Sequence, residues 1–255
     1  DGRFLTWSLS PPYHKRVDGR SDTRVGMARA AWTHRFRPDS RGILRAYIDG
    51  GDRDLTAFQD LRRTVDLDWQ HDLMFGSRHE VVWGAGFRST RDRILGGAVV
   101  TTRHERHSEQ IYSGFLQDRF ALFPGRFDVI LGTKVEHADD SEAQWQPTLR
   151  ALWRPLAAAR VWAAVGRAVR NTSIAETDAE YVISVQPTAQ FPVMVQVKGD
   201  PRFRPERVTT FEGGARAQIA SSFLLDITTF RNQYRGLRGS PATEPEFKFE
   251  GEQAY

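Results

Sequence analysis

A chain of 255 residues, 40% hydrophobic and 27% charged, holds no run of about 18 apolar residues, which excludes a membrane-spanning helix and leaves strands as the only way to cross a bilayer. Its net charge of +4 is spread through the chain with no single basic block, which argues against nucleic acid as a partner. The lack of cysteine removes disulfides and thiolate metal sites, and a first residue Asp1 with no initiating Met or apolar leader reads as a mature piece or a fragment.

In chain order, residues 3–10 predict a short strand, and Pro11-Pro12 with the polar run to Asp22 predicts a loop. Residues 23–36 follow as a long strand and residues 37–42 as a compact turn. Residues 43–49 put Leu44, Ala46 and Ile48 on one face and Arg45, Tyr47 and Asp49 on the other. Gly50-Gly51-Asp52-Arg53 opens a longer connection. The clearest alternation comes next, with Val65, Leu67 and Trp69 outward and Thr64, Asp66, Asp68 and Gln70 inward. Past a short turn at residues 76–79, residues 80–90 set Val81, Trp83, Ala85 and Phe87 against Gly84, Gly86 and Arg88, and residues 91–108 form a loop.

Residues 109–137 make a long hairpin around Phe123-Pro124-Gly125-Arg126, and both arms exceed the usual strand of a soluble sheet. In the return arm Phe127, Val129, Leu131 and Val135 share one face and Asp128, Lys134 and Glu136 the other. A loop of intermediate length, residues 138–144, leads to a strand with Pro147, Leu149, Ala151 and Trp153 against Thr148 and Arg150. Residues 154–158 turn it into a strand over residues 160–169. An irregular stretch of roughly 35 residues then runs to Pro205, a length that is uncommon inside a compact domain and usually functional. Residues 206–219 and 223–234 form one more hairpin, with Leu225 and Ile227 outside and Asp226 and Thr228 inside, and the last residues begin another strand.

These are about eleven strands, each near or above the roughly 9 to 11 residues that a tilted bilayer span needs, with one apolar and one wet face. The turns after Phe36, Phe75, Leu122, Trp153 and Ile219 are short and the connections between them mostly longer, the alternation of periplasmic turns and external loops in an outer-membrane barrel. The expected fold class is all-β, an antiparallel up-and-down meander forming a partial wall of a large transmembrane β-barrel, with residues 1–255 a fragment of that one domain. Trp69, Trp83, Trp145, Trp153 and Trp162 sit in or near strand ends, where either interfacial aromatic girdles or the core of a soluble β-sandwich would place them.

Four segments carry a family resemblance: Tyr112-Ser113-Gly114-Phe115-Leu116-Gln117-Asp118, then residues 166–176, then Gly199-Asp200-Pro201-Arg202-Phe203-Arg204-Pro205-Glu206-Arg207, and finally residues 226–234. Together they resemble the barrel portion of TonB-dependent outer-membrane receptors, the gated importers of ferric siderophores, cobalamin and similar scarce ligands. The third segment is the most specific and looks like the family's Gly-Asn-Pro-x-Leu-x-Pro-Glu at the foot of a long loop. Asp200 stands for Asn and Phe203 for Leu, which keep a turn former and an apolar anchor. The resemblance implies an active-transport receptor in the outer membrane of a Gram-negative bacterium, not an enzyme, without a cofactor, that takes up a ferric siderophore or similar metal chelate. It also implies outer-membrane lipid as a partner and the TonB energy-coupling complex, reached through a plug domain. Such receptors are similar to plugged barrels of about 22 strands, so the sequence is expected to be a barrel portion lacking both its plug and its terminal strands. An outer-membrane barrel hydrolase and a soluble all-β binding domain are the alternatives.

Among the candidate sites, His104, Glu105 and His107 bring two imidazoles and a carboxylate into one external loop, but their spacing matches no defined metal motif, and a solvated loop is favoured. Asp66 and Asp68 resemble a catalytic carboxylate pair, although pairing with inward arginines such as Arg45 and Arg88 is favoured. No serine lies in a nucleophile-elbow sequence. Gly199, Pro201, Pro205 and Glu206 are read first as a rigid anchor, because proline restricts the backbone before it recognises anything. The loop over residues 171–198 is the better ligand surface: Tyr181, Phe191 and Met194 suit an apolar or aromatic chelate, and Arg167, Arg170, Lys198 and Arg202 an anionic one.

Overall fold

Alternation with a period of two becomes a continuous wall of antiparallel strands. The computed structural model describes residues 2–8, 11–19, 21–55, 58–97, 100–139, 141–189, 191–239, 249–250 and 253–254. Strands β1 (Gly2–Trp7) and β2 (His14–Gly19) pair only with each other. The wall is built from β3 (Asp22–Arg37), β4 (Ser40–Leu55), β5 (Phe58–Phe75), β6 (His79–Gly96), β8 (Arg106–Phe123), β9 (Phe127–Ala138), β10 (Gln144–Leu156), β11 (Ala159–Arg170), β14 (Glu206–Ala220) and β15 (Phe223–Arg235). These ten strands form one sheet in the order β15-β14-β11-β10-β9-β8-β6-β5-β4-β3, an up-and-down meander with two excursions. The first excursion carries β7 (Val100–Thr102), and the second carries α1 (Ile174–Thr177), β12 (Ala179–Gln186) and β13 (Val193–Lys198).

Register keeps each face uniform across the wall. Leu44 faces Trp69, Ala46 faces Leu67 and Ile48 faces Val65; Leu67 then faces Phe87, and Phe87 faces Tyr112. Farther along, Leu131 faces Leu149, Leu149 faces Val165, and Val165 faces Phe211. No layer formed by the described residues covers this face. Leu67 remains 46% exposed, Leu131 58% and Ile227 58%, and the buried hydrophobic residues among those described are only Ala138, Ala179 and Val185. A continuous apolar surface of this extent marks a membrane or partner contact, because leaving it in water costs about 25 cal/mol per Å². The second sheet that a soluble sandwich would need against this face is not present among the described residues.

The opposite face is a lattice of ion pairs. Arg45 lies 2.9 Å from Asp68 and Arg88 2.9 Å from Asp66, the cross-strand partners expected for an inward polar face. Arg62 lies 2.6 Å from Asp92. Asp128, 2% exposed, is held by Arg119 at 2.9 Å and Arg154 at 2.8 Å, which ties β8, β9 and β10 together near the short turns. In the turn at Phe123-Pro124-Gly125-Arg126, the Arg126 N–H donates to the Phe123 carbonyl at 2.9 Å and Gly125 takes a φ of 75°, which favours glycine.

Near the short turns the outward face carries a band of rings. Trp32 stacks on His34 with centroids 5.4 Å apart, Phe36 and Trp83 each meet His71 at 5.7 Å, and His79 stacks on Phe120 at 4.7 Å. Trp69, Trp83, Trp145 and Trp153 occupy the outward register, but Trp162 does not. It faces Leu152 and Gly214 on the polar face, where a Cβ on Gly214 would come within 2.7 Å of the indole, so Trp162 belongs to no girdle.

Other expectations are corrected at the end of the wall opposite the short turns. The first expected strand lies in the separate ribbon, so the wall has ten strands. Residues 50–53 do not open a connection: β4 continues to Leu55, which pairs with Phe58 of β5. Much of residues 91–108 is strand, since Arg91 faces Ser108, Asp92 faces His107 and Arg93 faces Arg106. The stretch before Pro205 is likewise ordered into α1, β12 and β13. Eighteen residues of β5 at roughly 3.3 Å each reach about 60 Å, or about 45 Å of height at a 40° tilt, against an apolar band of roughly 25 Å. The ladders therefore continue above the band, where apolar and polar residues no longer alternate regularly and the pattern ceases to signal a strand. The strand expected of the last residues falls largely outside the described residues; β16 (Phe249–Glu250) and β17 (Gln253–Ala254) pair only with each other.

Candidate functional site

Above the wall, the two excursions meet. β12 pairs with β7 through Ala179 with Thr102, Glu180 with Thr101 and Tyr181 with Val100, and with β13 on its other side, giving a three-stranded sheet.

The foot of this sheet is organised by Glu176 and Gly199. Glu176, at the end of the first turn of α1, is buried and accepts two bonds from the Arg170 guanidinium at 2.6 and 3.0 Å. It also accepts from the Ser173 N–H at 2.9 Å, the reach-back bond that closes a helix start. Arg170 beside it holds the Glu176 carboxyl down to about 2, against the opposing effect of burial, with the Ser173 bonds helping. Gly199 packs against this turn so closely that a Cβ would lie 2.8 Å from the Asp178 nitrogen, 2.9 Å from the Thr177 carbonyl carbon and 3.0 Å from the Glu176 oxygen, all backbone atoms. Only glycine fits. The Gly199 N–H donates to Ala179 O at 2.8 Å and the Asp200 N–H to Glu176 O at 2.9 Å. Asp200, Pro201, Arg202 and Phe203 then form a tight turn, closed by the Phe203 N–H to Asp200 O at 2.9 Å. Glu206 starts β14 and accepts from Arg170 at 2.8 Å and from the Arg238 N–H at 2.7 Å.

A second cluster joins the excursions. Asp178, buried after α1, receives the His104 N–H at 3.1 Å, has His104 Nδ1 at 3.0 Å and His107 Nε2 at 2.9 Å, and lies 3.4 Å from Arg103 Nε. Arg103 also donates to the carbonyls of Thr177 and, at 3.1 Å, Gly199. Burial raises the Asp178 pKa, but the bonds from His104 and His107 outweigh it and hold the carboxyl below its ordinary value. The ligating atoms of His104, His107 and Asp178 all lie within 4.8 Å of one another, so Asp178, not Glu105, completes the group of donors. Glu105 instead approaches Arg93 at 3.9 Å. With the Arg103 cation against it, the carboxylate serves as a latch.

The expected ligand residues do not converge. Arg170 is engaged by Glu176 and Glu206, and Arg202 by Asp200 at 3.0 Å. Met194 and Lys198 share one face of β13, whereas Tyr181 is opposite Val197 and so lies on the other face of the hairpin. Phe191 lies in the β12–β13 connection, where its N–H donates to Thr188 Oγ1 at 3.2 Å. Sequence reasoning missed Glu176, Asp178, Arg103 and Arg238: the Ser173-x-x-Glu176 spacing of a helix start could have found the first, whereas nothing local signals the others, whose contacts span 60 or more residues.

Hydrolase geometry is not supported by the Ser–His pair that does occur. Ser40 Oγ lies 2.8 Å from His71 Nε2, but His71 Nδ1 accepts the Trp83 indole N–H at 3.1 Å. Nε2 therefore carries the ring proton and donates to Ser40, which leaves it unable to act as a base.

Residues 2–247 match the family model described as "TonB dependent receptor-like, beta-barrel". The chain belongs to that family. It matches no curated protein sequence. Among solved structures, the wall of this TonB-dependent receptor barrel superposes on the siderophore receptor PirA from Acinetobacter baumannii with a TM-score of 0.64 at 15% identity, covering 83% of this chain and 35% of that one. A mutant of the ferric enterobactin receptor PfeA from Pseudomonas aeruginosa, solved with enterobactin, gives 0.63 at 16% over 84% of this chain and 35% of that one. The alcaligin outer membrane receptor FauA from Bordetella pertussis gives 0.58 at 14%, covering 85% and 37%. At these identities the shared feature is the fold. The chain spans little more than a third of the length of these receptors.

Proposed function

We propose that the chain is part of the barrel wall of an outer-membrane active-transport receptor that takes up a ferric siderophore or similar metal chelate and is energised by the TonB complex through a plug domain. The observation that carries this reading is the ten-stranded wall with one uncovered apolar face and one ion-paired face, in a chain of the TonB-dependent receptor family. Similarity to receptors described as binding siderophores favours a chelate over other small nutrients. Recognition is assigned to the external three-stranded sheet, whose Met194 and Lys198 offer a soft apolar and a cationic contact on one face and whose Tyr181 offers an aromatic one on the other. Residues 199–206 anchor that sheet. The reading makes the protein a transporter and not an enzyme, placed in a Gram-negative outer membrane.

The test uses the full-length receptor in cells that lack other receptors, with radioactive iron carried by enterobactin or alcaligin. Uptake that needs both the receptor and TonB is the expected result. Removal of residues 183–195 should abolish uptake while the barrel keeps its heat-resistant migration. Undiminished uptake by that folded deletion would move recognition away from this sheet.

A further inference from the structure

Two imidazoles from one excursion address a single carboxylate from the other. His104 comes from the connection between β7 and β8, His107 from the start of β8, and Asp178 from the end of α1, 74 and 71 positions farther along the chain. His104 Nδ1 lies 3.0 Å from Asp178 Oδ1 and His107 Nε2 lies 2.9 Å from Asp178 Oδ2, so each ring meets its own oxygen. The His104 N–H donates to Oδ2 at 3.1 Å and fixes the carboxylate between the rings, which stand at 87° to each other with centroids 6.4 Å apart. Donors held by one zinc ion at about 2.0 to 2.2 Å are roughly 3 to 3.5 Å from one another. The nitrogen–oxygen distances are close to that separation, and all the donor atoms lie within 4.8 Å. The His104 side chain, 75% exposed, has room to turn and close the remaining gap.

We propose that His104, His107 and Asp178 bind an exchangeable divalent transition-metal ion of the zinc class, which staples the three-stranded sheet to β8. The donor set selects the ion. Imidazole nitrogen suits zinc and its first-row neighbours, whereas calcium and magnesium need six or more oxygens and find one carboxylate here. Glu105 is turned toward Arg93, so it adds no further oxygen. Three protein ligands leave a fourth, open position for water. Two features make the site exchangeable. Arg103 Nε lies 3.4 Å from Asp178 Oδ1 and opposes a second cation, although its terminal nitrogen is committed to the carbonyls of Thr177 and Gly199 and fills no coordination position. His107 Nδ1 is buried and meets no hydrogen-bond partner among the described residues, so that ring lacks the bracing bond that tightens metal-ligating histidines. An ion held at this point closes a long loop of chain and stabilises the pairing of β7 with β12, which covers only three residues. The site stands on this geometry and is independent of what the receptor imports.

The experiment takes the full-length receptor in detergent, strips it with a chelator and titrates it with zinc chloride beside the variant H104Q/H107Q. Glutamine keeps an amide that can donate to Asp178 and removes the imidazole ligand, so the variant retains the latch and loses the metal site. Calorimetry should show one zinc ion bound by the wild type at least about tenfold more tightly than by the variant. Zinc at about a hundred times its Kd should slow hydrogen exchange at the amides of His104, Asp178 and Gly199 by at least about tenfold and up to about a hundredfold in the wild type, and leave the variant unmoved. Magnesium at millimolar concentration should do neither. Exchange in the wild type that does not respond to zinc overturns the proposal whether or not the variant folds. Equal zinc affinity in the two proteins, or equal protection by magnesium, overturns it as well.

Discussion

The wall and the latch are held together by different physics. In the wall each residue belongs to a class, outward apolar or inward polar, and the hydrogen-bonded ladder supplies the strength, so that Leu131 opposite Leu149 could be exchanged for similar side chains with little loss. In the latch each residue has one role. Glu176 must face Arg170, Gly199 must lack a side chain, and Asp178 must receive His104 and His107. The contrast teaches that the wall tolerates substitution within a class and fails across classes, whereas the latch fails one contact at a time.

The sharpest way to break this comparison is to reverse a class within the wall. Leu67→Arg should destabilise the inserted full-length barrel by about 2 to 4 kcal/mol, the cost of a lipid-facing arginine near the midplane, while Asp68→Asn one residue away, which gives up only the part-exposed pair with Arg45, should cost about 1 kcal/mol or less. Denaturant titration in vesicles measures both. Equal losses for the pair would show that the faces are wrongly assigned.

Next in size is the latch. Glu176→Gln removes the charge from a buried acceptor and should cost about 1.5 to 3 kcal/mol of local stability, read as faster hydrogen exchange across residues 171–205 with the wall unchanged. Acid should have the same effect on the wild type. The Glu176 pKa is depressed in the folded state from 4.5 to about 2, so its contribution is present above about pH 4.5 and is lost as pH falls toward 2, with the depressed Asp178 acting in the same direction. Protection in these residues that, corrected for the intrinsic pH dependence of exchange, stays constant between pH 5 and 2 would remove Glu176 from the latch.

Gly199→Ala should cost about 1 to 3 kcal/mol through overpacking against the α1 backbone, detected as proteolytic cutting within residues 182–196 while heat-resistant migration persists. Loss of the folded barrel in this variant would mean that latch and wall are one cooperative unit. The mildest perturbation costs almost nothing. Ala189→Cys and Ser222→Cys, both at exposed turns, should differ only in access, with the first labelled on intact cells and the second not. Labelling at position 222 would invert the topology.

How much of this was legible depended on whether a residue acts by class or by partner. Alternation at residues 64–70 and 127–135 disclosed the wall and both faces, and the expected pairing of Asp66 and Asp68 with inward arginines is met by Arg88 and Arg45 respectively. Beyond the apolar band the signal failed in two ways. Residues 50–54 and 91–93 remain paired strands although both of their faces lack apolar side chains, so no alternation marks them. The latch depends on contacts such as His107 with Asp178, 71 positions apart, for which no local pattern exists. Trp162 was misplaced because aromatic character was used without parity.

The ladder joining β5 to β6 runs unbroken from Phe75 opposite His79 up to Phe58 opposite Gly96. That arc of the rim is a braced parapet: bending it would break many bonds at once. The arc formed by the two excursions is fastened by the three-residue pairing of β7 with β12 and by side chains around Asp178 and Glu176. Stiffness around the rim is therefore lopsided, and the arc with the shorter ladder is expected to yield before the β5–β6 arc does.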